Sequence, residues 1–365
     1  MRNFFLVCAL AFSISVGAAD ELRRVYVSTG DGLIAYAVGD GGGLTEIDRE
    51  AGRGLTAIAA DSKRLYRVGA KAAETFEIDA EGKLELLHTD PGTAPASYLM
   101  LDRTERYLAG SNYGGGSVAI WKIDQDRNVQ GQFAAQVPLE KAAHSSVFSK
   151  NNRWLLVPAT TPNKVFQLAF DDASGSLTPH SPLAADGPPV EAGNATQPRH
   201  LVFHPDLPIA YTTLEREMPG VGVWSWDEES GELRVIQNVV TYPENFEGSI
   251  TTADLHLTPD SRFLYVSNRD LTDRKAMTGD SSIVGFSVDS ETGKLTLLGH
   301  TPCPQIPRSF AIDEAGDYLY SAGQVTGTLE VYEIDRETGA LASQGEIETG
   351  KGPNWVKCVT LNPEG

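Results

Sequence analysis

The chain has 365 residues and a formal charge of −19, from 49 acidic and 30 basic side chains. That balance repels polyanions, and with no basic run or base-stacking motif it argues against nucleic acid as a partner. No stretch is long and apolar enough to span a bilayer, so membrane insertion is not expected and the acidity reads as solubility.

The chain opens with Met1-Arg2-Asn3, runs apolar from Phe4 to Val16 and ends that run in Gly17-Ala18-Ala19. One positive charge, a short apolar core and small terminal residues predict a secretory signal peptide over residues 1–19. Cys8 lies within it and lacks the preceding small residue of a lipoprotein signal. Residues 20–365 would then form an exported, periplasmic domain. Export would permit a disulfide between Cys303 and Cys358, but one sits in a Pro-rich loop and the other mid-strand, which argues against the bridge. Asn194-Ala195-Thr196 fits a glycosylation acceptor pattern that commonly occurs by chance.

From Arg64 onward a phrase recurs that ends in a hydrophobic strand. It appears around Arg64-Leu65-Tyr66, Arg106-Tyr107-Leu108, Arg153-Trp154-Leu155, Ile209-Ala210-Tyr211, Phe263-Leu264-Tyr265 and Tyr318-Leu319-Tyr320. The steps run from 42 residues (64 to 106) to 55 (262 to 317), the period of a β-propeller blade. Each unit reads as four short strands. Tyr98–Leu101, Tyr107–Ser111 and Ser117–Ile123 show the first three, with Gly, Asp and Asn at the turns. Asp-x-x-x-Gly-x-Leu turns follow the third strands at Asp171, Asp227, Asp289 and Asp335. Gly39-Asp-Gly-Gly-Gly-Leu44 reads as another hairpin turn.

Six units are complete. Val25–Ser28, Leu33–Val38 and the stretch after Gly43 look like second, third and fourth strands lacking a first. Trp355–Leu361 looks like a first strand with nothing after it. Pairing these fragments closes the ring and removes two open sheet edges. The expected fold is all-β, a seven-bladed propeller in one domain.

In such a ring the loop leading into each first strand and the loop leaving each second strand open on one face. Aligned, the repeats place Ser97, His144, Arg199, Ala253, Arg308 and Trp355 in the first column. Lys71, Tyr113, Thr160, Glu215, Arg269 and Gln324 fall in the second, with Asn112 and Asn268 one place earlier. A histidine, three arginines, a glutamate and a lysine thus converge on one mouth. Desolvating that many charges is costly without a ligand or mutual pairing. The pattern points to a cationic pocket for an anionic or oxygen-rich small molecule; the alternative is a ring of ion pairs. Asp254 and His256 share a strand face and could hold a metal. A histidine on the axis, bonded to water or to Asp254, is the preferred reading, and neither metal nor cofactor is expected. A Gly-x-Ser-x-Gly elbow, His-Glu-x-x-His and a Walker loop are all absent.

His144-Ser145, Pro198-Arg199-His200-Leu-Val-Phe-His-Pro205, Ala253-Asp254-Leu-His256, Leu264-Tyr-Val-Ser-Asn-Arg269, Pro307-Arg308-Ser-Phe310 and Ala322-Gly-Gln324 resemble the seven-bladed propeller lactonases. That family contains propeller-type 6-phosphogluconolactonase and the fungal carboxy-muconate lactonising enzyme, and the resemblance runs from about residue 55 to 362. It implies a lactone site built from a histidine, two arginines and a glutamate, which fall on His144, Arg199, Arg269 and Glu215. Asn112, Tyr113, His200, Asp254, Arg308 and Gln324 are expected to bind substrate around them. The chain departs from the family pattern at Ser309, where aspartate is common, and at Leu214, where asparagine is usual. Its export signal is a third departure, since sugar phosphates are cytoplasmic metabolites. The expected activity is therefore hydrolysis of a sugar lactone, glucono-1,5-lactone foremost, by a monomer or weak dimer. Glu215 would be the general base, Arg199 and Arg269 would bind the carbonyl oxygen, and His144 would donate to the ring oxygen or share the base role. Two alternatives remain: a lactonase or cycloisomerase acting on another lactone, including 6-phosphogluconolactone, and a non-catalytic exported propeller. The polar stretch 270–282 follows Arg269 and is expected either to be an idle loop or to cover the mouth, with Arg274 or Lys275 meeting the substrate.

Overall fold

The structure, a computed structural model, describes residues 22–188, 195–272 and 280–361. The expected signal peptide with Cys8, the glycosylation acceptor Asn194, and Arg274 and Lys275 of the expected lid all lie outside these residues.

Seven four-stranded antiparallel sheets follow one another around an axis. Blade 1 takes its inner strand from the far end of the chain, Trp355–Leu361, and continues with Leu22–Ser28, Gly32–Val38 and Leu44–Ala51. Seven consecutive residue pairs, Leu22 with Leu361 through Ser28 with Trp355, close the ring in unbroken register. The inner strands of blades 2 to 7 are Leu55–Ile58, Tyr98–Leu101, Val147–Phe148, Pro198–Phe203, Ile250–Leu257 and Pro307–Ile312, and each blade's other three strands follow in sequence.

The recurring aromatic phrase has a mechanical reason. Second-strand side chains pack between blades in seven apolar clusters. Their polar tips reach into the outer hairpin of the next blade. Tyr26 Oη donates to Gly82 O at 2.9 Å, Trp154 Nε1 to Glu228 O at 2.9 Å, Tyr211 Oη to Gly293 O and Tyr265 Oη to Gly339 O, both at 2.8 Å. Tight turns that open on an aspartate and close on a glycine make these acceptors available. In the turn at Asp289, Oδ1 accepts the Glu291 and Thr292 amides, and Gly293 adopts φ 67°. A Cβ on Gly293 would lie 2.9 Å from Ile209. Glycine is therefore required twice there, for conformation and for close approach.

The inner strands divide into two groups. In blades 1, 2 and 3 they pair with their neighbours without interruption. In blades 5, 6 and 7 the register slips between Pro198 and Leu201, between Thr252 and Leu255, and between Pro307 and Ser309. Blade 4 shows the same one-residue slip between the isolated bridge Ala143–Ala159 and the pair Val147–Leu156. Four consecutive blades thus carry an extra residue at equivalent places. A bulge of this kind bends a strand and re-aims its side chains.

Candidate active site

The bulges hold the candidate residues. His144 stands in the break of blade 4, Arg199 and His200 in that of blade 5, Ala253 and Asp254 in that of blade 6, and Arg308 in that of blade 7. Backbone groups freed from the ladders find other partners, as buried groups must. The His200 amide donates to Thr213 Oγ1 and the Asp254 amide to Ser267 Oγ, both at 3.0 Å. The Ala253 carbonyl accepts Arg199 Nη1 at 2.6 Å, and the Thr252 carbonyl accepts Arg269 Nη2 at 2.8 Å. The bulge of blade 6 therefore supplies the acceptors that fix both arginines.

Glu215 leaves the second strand of blade 5 and meets these arginines. Arg269 Nη2 donates to Glu215 Oε1 at 2.8 Å, and Arg199 Nε lies 4.0 Å from Oε2. All three side chains are buried. Burial pushes the Glu215 carboxyl upward, but the Arg199 and Arg269 charges outweigh it and hold the group below its ordinary value. Burial, then the Arg269 and Arg308 charges, disfavour the charged form of Arg199. A guanidinium stays protonated in proteins. The crowding is therefore an electrostatic strain that an added negative charge would relieve. Arg308 feels the same pressure from burial and from Arg269, and among the described residues it makes neither an ion pair nor a hydrogen bond.

Two histidines complete the centre. The His144 and His200 ring centroids are 5.1 Å apart, edge to face. Burial, then Arg199, His200, Arg308 and Arg269, hold His144 well below its usual range, so it is neutral at neutral pH. His200 Nδ1 lies 2.7 Å from Asp254 Oδ1. Burial, followed by the Arg199 charge, lowers His200 to about 4 against the opposing pull of Asp254.

Most of the residues expected from sequence lie together. His144, Arg199, His200, Glu215, Asp254, Arg269 and Arg308 come together. Tyr113 sits at their outer edge, half exposed, its ring 5.3 Å from that of His144. Asn112 is turned away: its Oδ1 accepts the Gly115 amide at 2.8 Å and closes its own hairpin. The Asn-x-x-Gly spacing carries that signal, because asparagine caps such turns. Gln324 lines a neighbouring cavity of about 390 Å³ on the same face, with Arg53 and Lys351 on its walls. His256 Nε2 lies 3.3 Å from Asp254 Oδ2 but makes no hydrogen bond to it. Among the described residues no group of three or more potential ligands could hold a metal. Cys303 and Cys358 are both free.

The family model described as Lactonase, 7-bladed beta-propeller, matches residues 28–358. A 6-phosphogluconolactonase of Serratia proteamaculans is 32% identical over 306 residues, covering 83% of this chain and 87% of that protein. One from Pectobacterium carotovorum is 33% identical over 312 residues, 84% and 88% of the two chains. Among solved structures, the periplasmic gluconolactonase of Pseudomonas aeruginosa superposes with a TM-score of 0.82 over 93% of this chain and 100% of its own, at 24% identity.

Proposed function

The chain belongs to the seven-bladed β-propeller lactonase family and is a lactone hydrolase, and from that premise we propose that it opens glucono-1,5-lactone to the aldonic acid in the periplasm. One observation carries the reading of the site. Four buried polar atoms in the cluster, Arg199 Nε, Arg269 Nε, His144 Nδ1 and His200 Nε2, have no hydrogen-bond partner. Buried polar atoms normally do. Two fixed cations and two neutral imidazoles in that condition suit a small molecule rich in oxygen that gains negative charge as it reacts.

Hydrolysis requires an activated water, a stabilised tetrahedral oxyanion and a proton for the departing ring oxygen. Arg199 and Arg269, fixed by the Ala253 and Thr252 carbonyls, bind the lactone carbonyl oxygen and then its developing charge. Glu215 stays ionised through the working range and keeps the two guanidinium groups aligned. Glu215 and the neutral His144 are the two groups placed to take the water's proton. Arg308 and Tyr113 line the outer mouth and contact substrate hydroxyls.

The periplasmic placement is supported by the signal-like residues 1–19, and no helix among the described residues is long and apolar enough to cross a membrane. A second reading, 6-phosphogluconolactone as substrate, draws on Arg53 and Lys351 in the cavity beside Gln324, which could meet a phosphate. Purified protein should be assayed on both lactones in a pH-stat, with spontaneous hydrolysis subtracted. The gluconolactone reading expects a higher kcat/KM for the plain lactone, unchanged when Arg53 and Lys351 are both replaced by Gln. A higher value for the phosphorylated lactone, lost in that double variant, selects the second reading.

A further inference from the structure

A column of ionisable side chains runs inward from the mouth. Tyr113 is half exposed at its outer end, His144 lies beneath it, His200 beneath His144, then Asp254, then His256. His256 and Lys357 line a separate cavity of about 510 Å³. Four of these five groups come from different blades, and only Asp254 and His256 share a strand.

Asp254 is a buried carboxylate held on several sides. Its Oδ1 accepts the Leu255 amide at 3.1 Å, and its Oδ2 accepts the Phe310 amide at 3.4 Å. An ionised carboxylate only accepts hydrogen bonds, so the 2.7 Å contact fixes His200 with its proton on Nδ1. His200 Nε2 is then a bare lone pair, buried and unpartnered. His144 has an unpartnered Nδ1 in the adjacent ring. The two rings thus meet edge to face, with a free nitrogen on each and His200 held by Asp254.

We propose that Asp254 and His200 are positioning residues that orient His144 as the general base, through a relay of Asp254 to His200 to His144. The proposal rests on the hydrolase reading and specifies its proton path. His144 Nε2 takes a proton from water as the water oxygen bonds to the lactone carbonyl carbon. The carbonyl electron pair moves onto the oxygen between Arg199 and Arg269. When the carbonyl re-forms, the bond to the ring oxygen breaks and that oxygen takes the proton back from His144. Asp254 balances the transient imidazolium through His200, as a carboxylate does in a Ser-His-Asp triad. Glu215 then serves to align the arginines. The charged and titratable groups facing the two rings are Tyr98 and Tyr113 from blade 3, Arg199 from blade 5, Asp254 and Arg269 from blade 6, and Arg308 from blade 7.

The test compares Asp254→Asn, Asp254→Glu, His200→Gln and wild type on glucono-1,5-lactone. Asp254→Asn should lower kcat about 10²-fold, within the usual span for acid–base catalysis, with little change in KM. Its acid limb should move to lower pH, because the imidazolium has lost its counter-charge. His200→Gln should match it in rate, and Asp254→Glu should recover part of the loss. A folded Asp254→Asn enzyme with wild-type kcat and pH profile overturns the relay. Histidine ¹⁵N spectra of the wild type bound to gluconate decide the matter if the variants fail to fold. The proposal expects His200 protonated at Nδ1 and accepting at Nε2, and the opposite tautomer overturns it. A wild type that turns over no lactone removes the hydrolase reading and the relay together, whereas turnover with the wrong tautomer removes the relay alone.

Discussion

The inner strands of blades 1 to 3 and those of blades 4 to 7 pair in different ways. In the first arc the ladders run in register and the blade 1 strand closes the ring. In the second arc every inner strand carries a one-residue slip, and each slip presents a polar side chain. Regular pairing closes the ring there, and irregular pairing gathers the candidate site residues here. The lesson is that the propeller's near-symmetry is broken at one repeated position, so a site of seven side chains needs only four local distortions.

The contrast can be broken most severely in the regular arc. Deleting residues 353–365 removes all seven pairs that close blade 1. The truncated chain should lose its cooperative melting transition and aggregate in size-exclusion chromatography; a monomer melting like wild type would show that the ring does not depend on this strand. In the bulged arc Arg199→Ala should act the other way. Turnover should fall roughly 10²–10³-fold, as for loss of one oxyanion donor. Melting should stay level or rise, because a buried cation crowded by Arg269 and Arg308 is gone. A fall in melting temperature with little loss of rate would reverse the assignment.

The next effect is smaller and depends on pH. His200 is lowered to about 4 in the fold, against about 6.5 in an unfolded chain. Between these values the unfolded chain binds the proton and the folded protein does not, so stability is lost as pH falls from 6.5 to 4. The slope for one such group is about 1.4 kcal/mol per pH unit. Glu215 and Asp254, both held below their ordinary values, add losses of the same sign as the pH falls through their folded values. Urea titrations of wild type and His200→Gln across this window should show the slope in the first and a flatter line in the second. Smallest of all is the stitching between blades. Tyr26→Phe in the regular arc and Tyr265→Phe in the bulged arc each remove one inter-blade hydrogen bond. Each should cost about 1 kcal/mol in the same titration. A clear inequality would show that the bulges alter how blades are coupled.

The fold was legible because its demands are local and repeated. A tyrosine in the second strand, an aspartate opening the outer turn and a glycine closing it recur at fixed spacing. Trp355–Leu361 was readable as the missing strand of blade 1 because both fragments were incomplete in complementary ways. The column alignment also brought His144, Arg199, Glu215 and Arg269 to one mouth, and the structure clusters them. The bulges were not foreseen, since register is set by a ladder partner and not by the strand's own pattern. Pro198 and Pro307, each just before an arginine, were available hints, because proline in a sheet keeps to strand starts, edges and bulges. The bond from His200 to Asp254 joins residues 54 apart on adjacent blades. No periodicity reports such a pair. The hairpin-closing bond of Asn112 Oδ1 also escaped the alignment, because column position says where a residue sits and not which way its amide turns.

The closing pairs also impose a schedule on synthesis. Leu22–Ser28 is among the first strands made, yet its inner partner Trp355–Leu361 is among the last. At about 5–20 residues per second, the 310 residues from Ala51 to Leu361 take about 15–60 s to emerge. For that interval the first three strands have a bare inner edge and no neighbour on that side. A chain of this design gains from a holding partner, or from delayed folding, until its final strand is free to pair.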